Sequence, residues 1–170
     1  MMRFGSRLVL IGLLGVLGVA SLGEPVVGAG EDVRALPRFA SLRADEVNLR
    51  TGPGRRYPVE WKLVREGMPV EILLEYNTWR KIRDQEGTVG WVHQSMLSGR
   101  RTIVVTGSPR TLRRQPADDA PPRAVLEPGV IADLYDCATD GAWCRIGVRT
   151  LKGWLKRDEF WGVYAGETVN

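Results

Sequence analysis

The chain contains few of the residue types on which catalytic and metal sites depend. Its 170 residues include one histidine, His93, and two cysteines, Cys137 and Cys144. Two cysteines with no histidine nearby make a poor metal site, and no other residues show metal-ligand spacing. No glycine-rich loop followed by a helix is present to hold a phosphate group. The sequence therefore predicts no metal site and no cofactor.

Long hydrophobic runs are also missing, except for one near the N-terminus. Residues 8–22 are apolar or small throughout, follow Arg3 and Arg7, and precede small-residue cleavage patterns. This is the layout of a secretory signal peptide. The run is interrupted by three glycines and is shorter than the ~20 residues needed to span a bilayer. We predict a signal peptide at residues 1–29. The alternative is an uncleaved anchor, and in that case this segment alone would contact a membrane.

Neither sign of charge dominates the chain. It has 24 Lys and Arg residues against 20 Asp and Glu residues, a formal net charge of +4. The arginines are scattered, and pairs such as Arg55-Arg56 are typical of solvated surface. Nucleic-acid binding would also conflict with export. We therefore expect no nucleic-acid partner, and export across the inner membrane predicts a periplasmic protein.

Both cysteines lie in the C-terminal half of the chain. Six residues separate Cys137 from Cys144, including Asp140-Gly141, which is a hairpin-turn signal. In an exported chain this spacing predicts a disulfide that joins two antiparallel strands. Two free thiols and a metal pair are the alternatives.

The tryptophans and glycines recur at a fixed spacing. Several of them, together with one leucine, have a counterpart 62 to 64 positions further along. The matched pairs are Leu49 and Leu112, Gly67 and Gly129, Trp79 and Trp143, Gly90 and Gly153, and Trp91 and Trp154. A fixed offset between uncommon residues indicates two copies of one small unit. We predict a first domain at residues 39–97 and a second at residues 109–161.

The local patterns favour strands. Val47 and Leu49 alternate with Asn48 and Arg50, the two-residue period of a half-buried strand, and a Gly-Pro turn cluster follows. No convincing amphipathic helix follows the N-terminal segment. Several short strands separated by Gly and Pro predict an all-β fold. The β-branched run at residues 102–105 predicts a further strand between the copies, and residues 162–170 are expected to form a tail.

The first copy resembles bacterial SH3-like domains. The resemblance rests on Val47-Asn48-Leu49-Arg50-Thr51-Gly52-Pro53-Gly54 with Tyr57-Pro58-Val59, on Trp79-Arg80-Lys81-Ile82, and on Gly90-Trp91-Val92. The second copy has Thr111 in place of the opening Asn and Gln115 in place of the first loop Gly, so a function of that loop is not carried over. The resemblance implies two tandem small SH3-like β-barrels of five or six strands each. It also implies a binding module and not an enzyme.

By similarity to the peptide groove of the SH3 fold, two tryptophans of each copy are candidate ligand contacts. Flat aromatic rings offer a large contact area on which extended peptides pack, and a neighbouring arginine can hold a carboxylate in a fork. The candidates are Trp79, Trp91, Tyr57, Arg50 and Arg80, with Trp143 and Trp154 as secondary candidates in the second copy. Alternatively, Trp91 only covers a thin core. We expect Trp61 and Trp161 to pack, and His93 to lie at the surface.

The resemblance implies an exported, non-catalytic binding protein of the cell envelope. Its expected partner is a peptidoglycan peptide or an extended segment of an envelope protein. A structural or adaptor role is one alternative, and a small cell-wall hydrolase is another. A Cys–His hydrolase needs a free thiolate and a positioned base, whereas here both cysteines are expected to pair and His93 lies in the other copy.

Overall fold

A computed structural model describes residues 35–138 and 141–170. The predicted signal peptide at residues 1–29 and Asp140 of the predicted turn lie outside this range. The described residues fall within one compact unit. They are almost entirely β, with short 3₁₀ turns at Gln94–Met96 and Arg157–Glu159. Within this part of the chain, no helix has the length and apolar character to cross a membrane.

The strands form two sheets of seven. The first sheet contains β1 (Arg38–Leu42), β2 (Val47–Arg50), β3 (Val59–Leu63), β4 (Pro69–Tyr76), β5 (Trp79–Arg83), β6 (Val89–His93) and β7 (Leu97–Ser98). The second contains β8 (Thr102–Val105), β9 (Arg110–Arg113), β10 (Pro122–Leu126), β11 (Ile131–Cys137), β12 (Trp143–Val148), β13 (Leu151–Lys156) and β14 (Phe160–Trp161). Their orders are β3-β2-β6-β5-β4-β1-β7 and β10-β9-β13-β12-β11-β8-β14. The two sheets therefore share one topology.

Each sheet bends around its own core, and we call the two halves the first and second lobes. Buried side chains such as Val47, Leu49 and Ile82 form the first core, and residues such as Leu112 and Ile146 form the second. The alternation read from the sequence produces this arrangement, since successive strand residues point to opposite faces. The prediction of an all-β, SH3-like fold is confirmed. Each sheet has seven strands because a two-residue strand, β7 or β14, adds to its edge.

The recurring glycines lie where two strands approach closely. A Cβ atom on Gly90 would overlap Leu49 Cγ and lie 2.9 Å from its Cδ1. At the matching position, a Cβ atom on Gly153 would lie 2.6 Å from the carbonyl oxygen of Arg113. Only a residue without a side chain fits both sites, which explains why the Gly-Trp pair recurs.

The link between the lobes is short, and the strand expected at residues 102–105 is confirmed as β8. This strand pairs with β11 and β14, so the second sheet begins before residue 109, where the sequence placed the second domain. Only residues 99–101 separate β7 from β8. Across this link the hydroxyl groups of Ser41 and Thr102, both buried, lie 2.6 Å apart.

The segment expected to be a tail is packed against the second lobe. The backbone N–H of Val169 donates to the carbonyl of Cys137 at 3.0 Å, and the reverse bond is 2.9 Å long. Cys137 is also bonded to Cys144, which confirms the predicted disulfide between the antiparallel strands β11 and β12. The chain terminus and the disulfide therefore secure the same end of β11.

Aromatic packing joins the lobes. Phe39 of β1 contacts Trp161 edge to face at a centroid distance of 4.8 Å, and its ring lies 4.6 Å from that of Tyr164. Trp161 thus packs, as expected, although its ring partner lies in the first lobe. The expectation that Trp61 packs is wrong, because this side chain on the edge strand β3 is 57% exposed.

Charged groups complete the contact between the lobes. The Tyr164 hydroxyl donates to Glu71 Oε1 at 2.7 Å, and Glu71, which is 3% exposed, also accepts from Arg83. In the link between the lobes, Arg101 Nη1 donates to Glu167 Oε1 of the C-terminal segment at 2.5 Å. Burial, followed by the bond to Glu71, raises the pKa of Tyr164 well above its ordinary value. Burial alone would raise the pKa of Glu167, but the bonds from Arg101 and the Tyr164 backbone outweigh it and lower the pKa.

These shifts predict opposite pH effects at the two residues. The lowered pKa of Glu167 stabilises the fold above its ordinary value of about 4.5, and this stabilisation disappears as the pH falls through the lowered pKa. The raised pKa of Tyr164 stabilises the fold below its ordinary value of about 10, and this contribution declines at higher pH. Urea unfolding across pH should therefore show a flatter acid limb for Glu167→Gln and a flatter alkaline limb for Tyr164→Phe. Asp119→Asn, on an exposed loop, is the control, and unchanged limbs in both variants would contradict the assignment.

Candidate functional site

The outer face of the first lobe displays a tryptophan and a histidine side by side. Trp79 of β5 pairs with His93 of β6 across the strands, and their rings meet edge to face at 5.5 Å. Alternation sets this face, because Ile82 and Val92 of the same strands point into the core. The structure thus places Trp79 on the surface, beside the single histidine.

A groove of about 190 Å³ opens beside the Trp79 ring. We call it the Trp79 groove. Its walls come from β2 and the residue before it, the loop that follows β2, and the turn after β6. The lining residues are Glu46, Asn48, Arg50, Arg55, Trp79, His93, Ser95 and Met96. The structure therefore brings together two of the predicted site residues, Trp79 and Arg50.

Arg50 shapes one wall of the groove. Its Nη1 donates to the carbonyl of Tyr57 at 2.7 Å and to that of Arg55 at 3.2 Å, and these bonds hold the loop over β2. Among the described residues, no hydrogen bond leaves its Nη2, which can donate to a ligand carboxylate. In the second lobe Arg113 makes the same loop contact, to Ala120 at 2.9 Å. In both lobes, the arginine at this position therefore holds the loop through hydrogen bonds. Only its remaining donors can bind a ligand.

His93 is held in a defined orientation. The backbone N–H of Ser95 donates to His93 Nδ1 at 3.3 Å, and the Ser95 hydroxyl lies 2.7 Å from the same nitrogen. Because Nδ1 accepts a hydrogen bond from a backbone N–H, the neutral ring carries its proton on Nε2. The ring can therefore present a hydrogen-bond donor in the groove.

The groove carries charges of both signs. Glu46 contributes a carboxylate that is 65% exposed and pairs with Lys62 at 3.1 Å. Arg50 and Arg55 contribute guanidinium groups. An exposed pair such as Glu46–Lys62 contributes little to stability, so its carboxylate can exchange partners readily. The groove can thus offer a ligand an acceptor, several donors and an aromatic surface.

Trp91 and Tyr57 lie outside the groove lining. Trp91 is half-buried on the outer face of β6, opposite Arg50 and Lys81, and extends the aromatic surface beyond the groove. The Tyr57 ring lies against its own loop, since a Cβ atom on Gly52 would be 2.5 Å from Tyr57 Cδ1. We conclude that Tyr57 shapes the loop that forms one wall.

The structure does not place Arg80 beside the Trp79 ring, as the sequence had suggested. Arg80 follows Trp79 directly in β5, so its side chain points to the opposite, core-facing side. It bonds there to the Gln94 side chain at 2.8 Å and pairs with Glu75 at 3.2 Å. It lines a different cavity, of about 220 Å³, at the end of the first core.

The matching face of the second lobe carries a lysine over its tryptophan. Trp143 occupies the place of Trp79, but its strand partner is Lys156, whose Nζ lies 5.4 Å from the ring centroid. Lys156 also pairs with Asp118 at 2.5 Å, and Asp118 belongs to the loop that differs most between the copies. Trp154 is half-buried between Arg113 and Arg145 in the sheet. The second lobe thus retains the rings, with a lysine over the Trp143 ring where the first lobe has His93 beside Trp79.

Sequence reasoning missed the polar walls of the groove. Asn48 could have been found, because its alternation with Val47 and Leu49 assigns it to the same outer face as Arg50. Glu46, Arg55 and Ser95 lie in loops or turns, where no periodicity indicates direction. In residues 35–138 and 141–170, no group of three or more His, Cys, Asp or Glu side chains is placed to bind a metal ion.

Comparison with known proteins identifies part of the chain. A model of the bacterial SH3 domain matches residues 43–99, and these residues form one such domain. A similar protein is YrvJ of Bacillus subtilis (strain 168), a candidate N-acetylmuramoyl-L-alanine amidase, 25% identical over 137 residues. The match covers 74% of this chain and 26% of YrvJ, so the chain spans about a quarter of that relative.

Two solved structures are similar over part of their length. They are NlpC2 and NlpC1 from Trichomonas vaginalis, each with 15% sequence identity and a TM-score of 0.34. The matches cover 74% and 73% of this chain and 48% and 45% of those chains, respectively.

Proposed function

We propose that this protein is an exported, non-catalytic binding protein of the cell envelope, and that the Trp79 groove of its first lobe recognises a short extended peptide. The proposed ligand is the peptide stem of peptidoglycan. The observation that carries the proposal is the Trp79 ring, which lies in a groove bordered by a carboxylate and by guanidinium groups.

The chemistry of a stem peptide matches this groove. Such a peptide is short and extended, and it carries carboxylates and an amine. Arg50 and Arg55 can hold a carboxylate, and Glu46 can accept the amine. The Trp79 face offers apolar contact to the backbone and small side chains between them. His93 Nε2 can donate to a peptide carbonyl. Each part of the ligand thus has a partner of matching chemistry.

Two comparisons support this proposal. The groove lies within residues 43–99, which match the bacterial SH3 domain. The similar protein YrvJ bears the name of an N-acetylmuramoyl-L-alanine amidase. The disulfide supports a location outside the cytoplasm, and we propose the periplasm. We also propose that the second lobe is a second SH3-like domain, on the basis of its identical strand order.

Binding to purified cell-wall sacculi tests the groove. We expect the mature protein to be retained, and Trp79→Ala to lower the affinity at least tenfold, because centrally placed aromatic contacts carry much of the binding energy. Trp143→Ala is the matched control, since it removes the equivalent ring where Lys156 covers it, and should bind normally. Circular dichroism establishes that both variants are folded. Equal losses in the two variants, or full retention of Trp79→Ala, would refute the proposal.

Two other functions make distinct predictions. For an adaptor, sacculi would not retain the protein, and cross-linking would capture an envelope protein instead. For a hydrolase, the protein would turn over wall fragments. Both cysteines are joined in the disulfide and provide no thiolate, so His93 would be the residue to test. Turnover that disappears in His93→Ala would contradict the non-catalytic role.

A further inference from the structure

Strand β3 presents an exposed hydrophobic edge. Within residues 35–138 and 141–170 it pairs with β2 alone and forms one end of the first sheet. Trp61 at its centre is 57% exposed, and Val59 at its start is 44% exposed. Backbone groups on the outer side of such a strand are a template for pairing with another chain. No residue of β3 lines the Trp79 groove, although Lys62 of β3 bonds to Glu46 in that lining.

The sequence of β3 is complementary to itself. The strand reads Val59-Glu60-Trp61-Lys62-Leu63. If two copies pair antiparallel about Trp61, Glu60 of each copy lies opposite Lys62 of the other. The two Trp61 rings then meet at the two-fold axis, whereas Val59 lies beyond a register shift in β3 and takes no part in this pairing. Opposite charges and aromatic pairs at facing positions stabilise antiparallel strands.

Charge also selects this register over its neighbours. A shift by two residues in one direction would place Glu60 opposite Glu60, and in the other direction Lys62 opposite Lys62. Parallel, in-register pairing would produce both of these like-charge contacts. Since facing like charges are destabilising, the antiparallel arrangement centred on Trp61 is favoured. Lys62 is available for it, because its bond to Glu46 is solvent-exposed on both sides.

We propose that the occupant of this edge is a second copy of the same chain. The two first sheets join through β3 into one continuous sheet, in a two-fold dimer of the kind most common among homo-oligomers. A five-residue edge buries little area compared with a permanent interface, so the dimer forms reversibly at high local concentration.

The second lobe lacks this edge chemistry. Its counterpart β10 reads Pro122-Arg123-Ala124-Val125-Leu126, with Ala124 opposite Leu112 where Trp61 lies opposite Leu49. Antiparallel pairing about Ala124 would set Arg123 against Val125, with no charge match. Pro122 lacks an N–H group, which discourages pairing at an edge. The dimer contact is therefore assigned to the first lobe alone.

Charge exchange tests the register. Sedimentation equilibrium of the mature exported protein should show a monomer–dimer equilibrium. Glu60→Lys alone and Lys62→Glu alone should each weaken it at least tenfold, because every facing pair becomes repulsive. The double exchange should restore it. A mixture of the two single variants should form heterodimers, since all facing charges are then opposite. Trp61→Ala should also weaken the dimer.

Two controls complete this experiment. Arg123→Glu, at the position in β10 that matches Glu60, should leave the equilibrium unchanged. Trp79→Ala should also leave it unchanged, which separates this proposal from the groove. A protein that stays monomeric at millimolar concentration would overturn the proposal. So would a double exchange that fails to restore the dimer, or a β10 variant that weakens it equally.

Discussion

Replacing Gly90 with alanine should destabilise the first lobe by about 3 kcal/mol, the upper range for adding a methyl group to a packed core. The new Cβ atom would overlap Leu49, which is 1% exposed and surrounded by core side chains. Leu49 belongs to the buried cluster of the first core, so a shift of its side chain disturbs that packing. Urea unfolding followed by tryptophan fluorescence measures the loss.

Gly54→Ala is the matched control for this substitution. A Cβ atom there would lie 3.4 Å from the nearest Tyr57 ring carbon, an ordinary van der Waals distance. We expect a change below about 0.5 kcal/mol, typical of a surface substitution. If Gly90→Ala unfolds at the same urea concentration as Gly54→Ala, the close approach of β6 to β2 does not explain the recurring glycine.

Replacing Phe39 with alanine should both destabilise the protein and uncouple its lobes. Removing a buried phenylalanine costs about 3 to 5 kcal/mol, and this ring is only 7% exposed. It contacts Trp161, which lies in the last strand of the second sheet, and Tyr164, which follows that strand. Calorimetry of the wild type should show one unfolding transition, and Phe39→Ala should split it into two.

Phe160→Ala distinguishes loss of coupling from loss of core. Phe160 is buried to the same extent, at 6% exposure, but it packs within the core of the second lobe. We expect a similar total loss of stability, confined to the second lobe, with the contact between Phe39 and Tyr164 retained. One shared transition in Phe39→Ala, shifted to lower temperature, would show that the aromatic contact does not couple the lobes.

The fold was largely predictable because its constraints are local. Alternation at Val47 and Leu49 sets the core face of β2, and the recurring Gly-Trp pairs report where strands approach too closely for a side chain. The cysteine spacing likewise predicted the Cys137–Cys144 disulfide, because a short antiparallel hairpin brings the two sulfurs together.

Position within the sheet was not predictable in the same way. The exposure of Trp61 follows from β3 being an edge strand, and strand order depends on contacts between distant residues that alternation does not encode. The packing of Val169 against Cys137 is another long-range contact. Arg80 differs from these, since its position directly after Trp79 already assigned it to the opposite face.

The candidate site was predictable only in part. Trp79 and Arg50 were identified because they belong to recurring blocks, and the structure places both at the groove. Glu46, Arg55 and Ser95 lie in loops or turns whose course depends on the whole lobe. Lys156, which lies over the Trp143 ring, pairs with Asp118, and no local pattern connects these two residues, which are far apart in sequence.

The three-residue link between β7 and β8 has a geometric consequence. The Ser41 and Thr102 hydroxyls are in contact across this link, and Phe39 packs against Trp161. These contacts restrict rotation of one lobe relative to the other. The lobes should tumble as one body, with a common rotational correlation time. If the first lobe binds a wall peptide as proposed, the second lobe is therefore held in a fixed direction relative to that peptide.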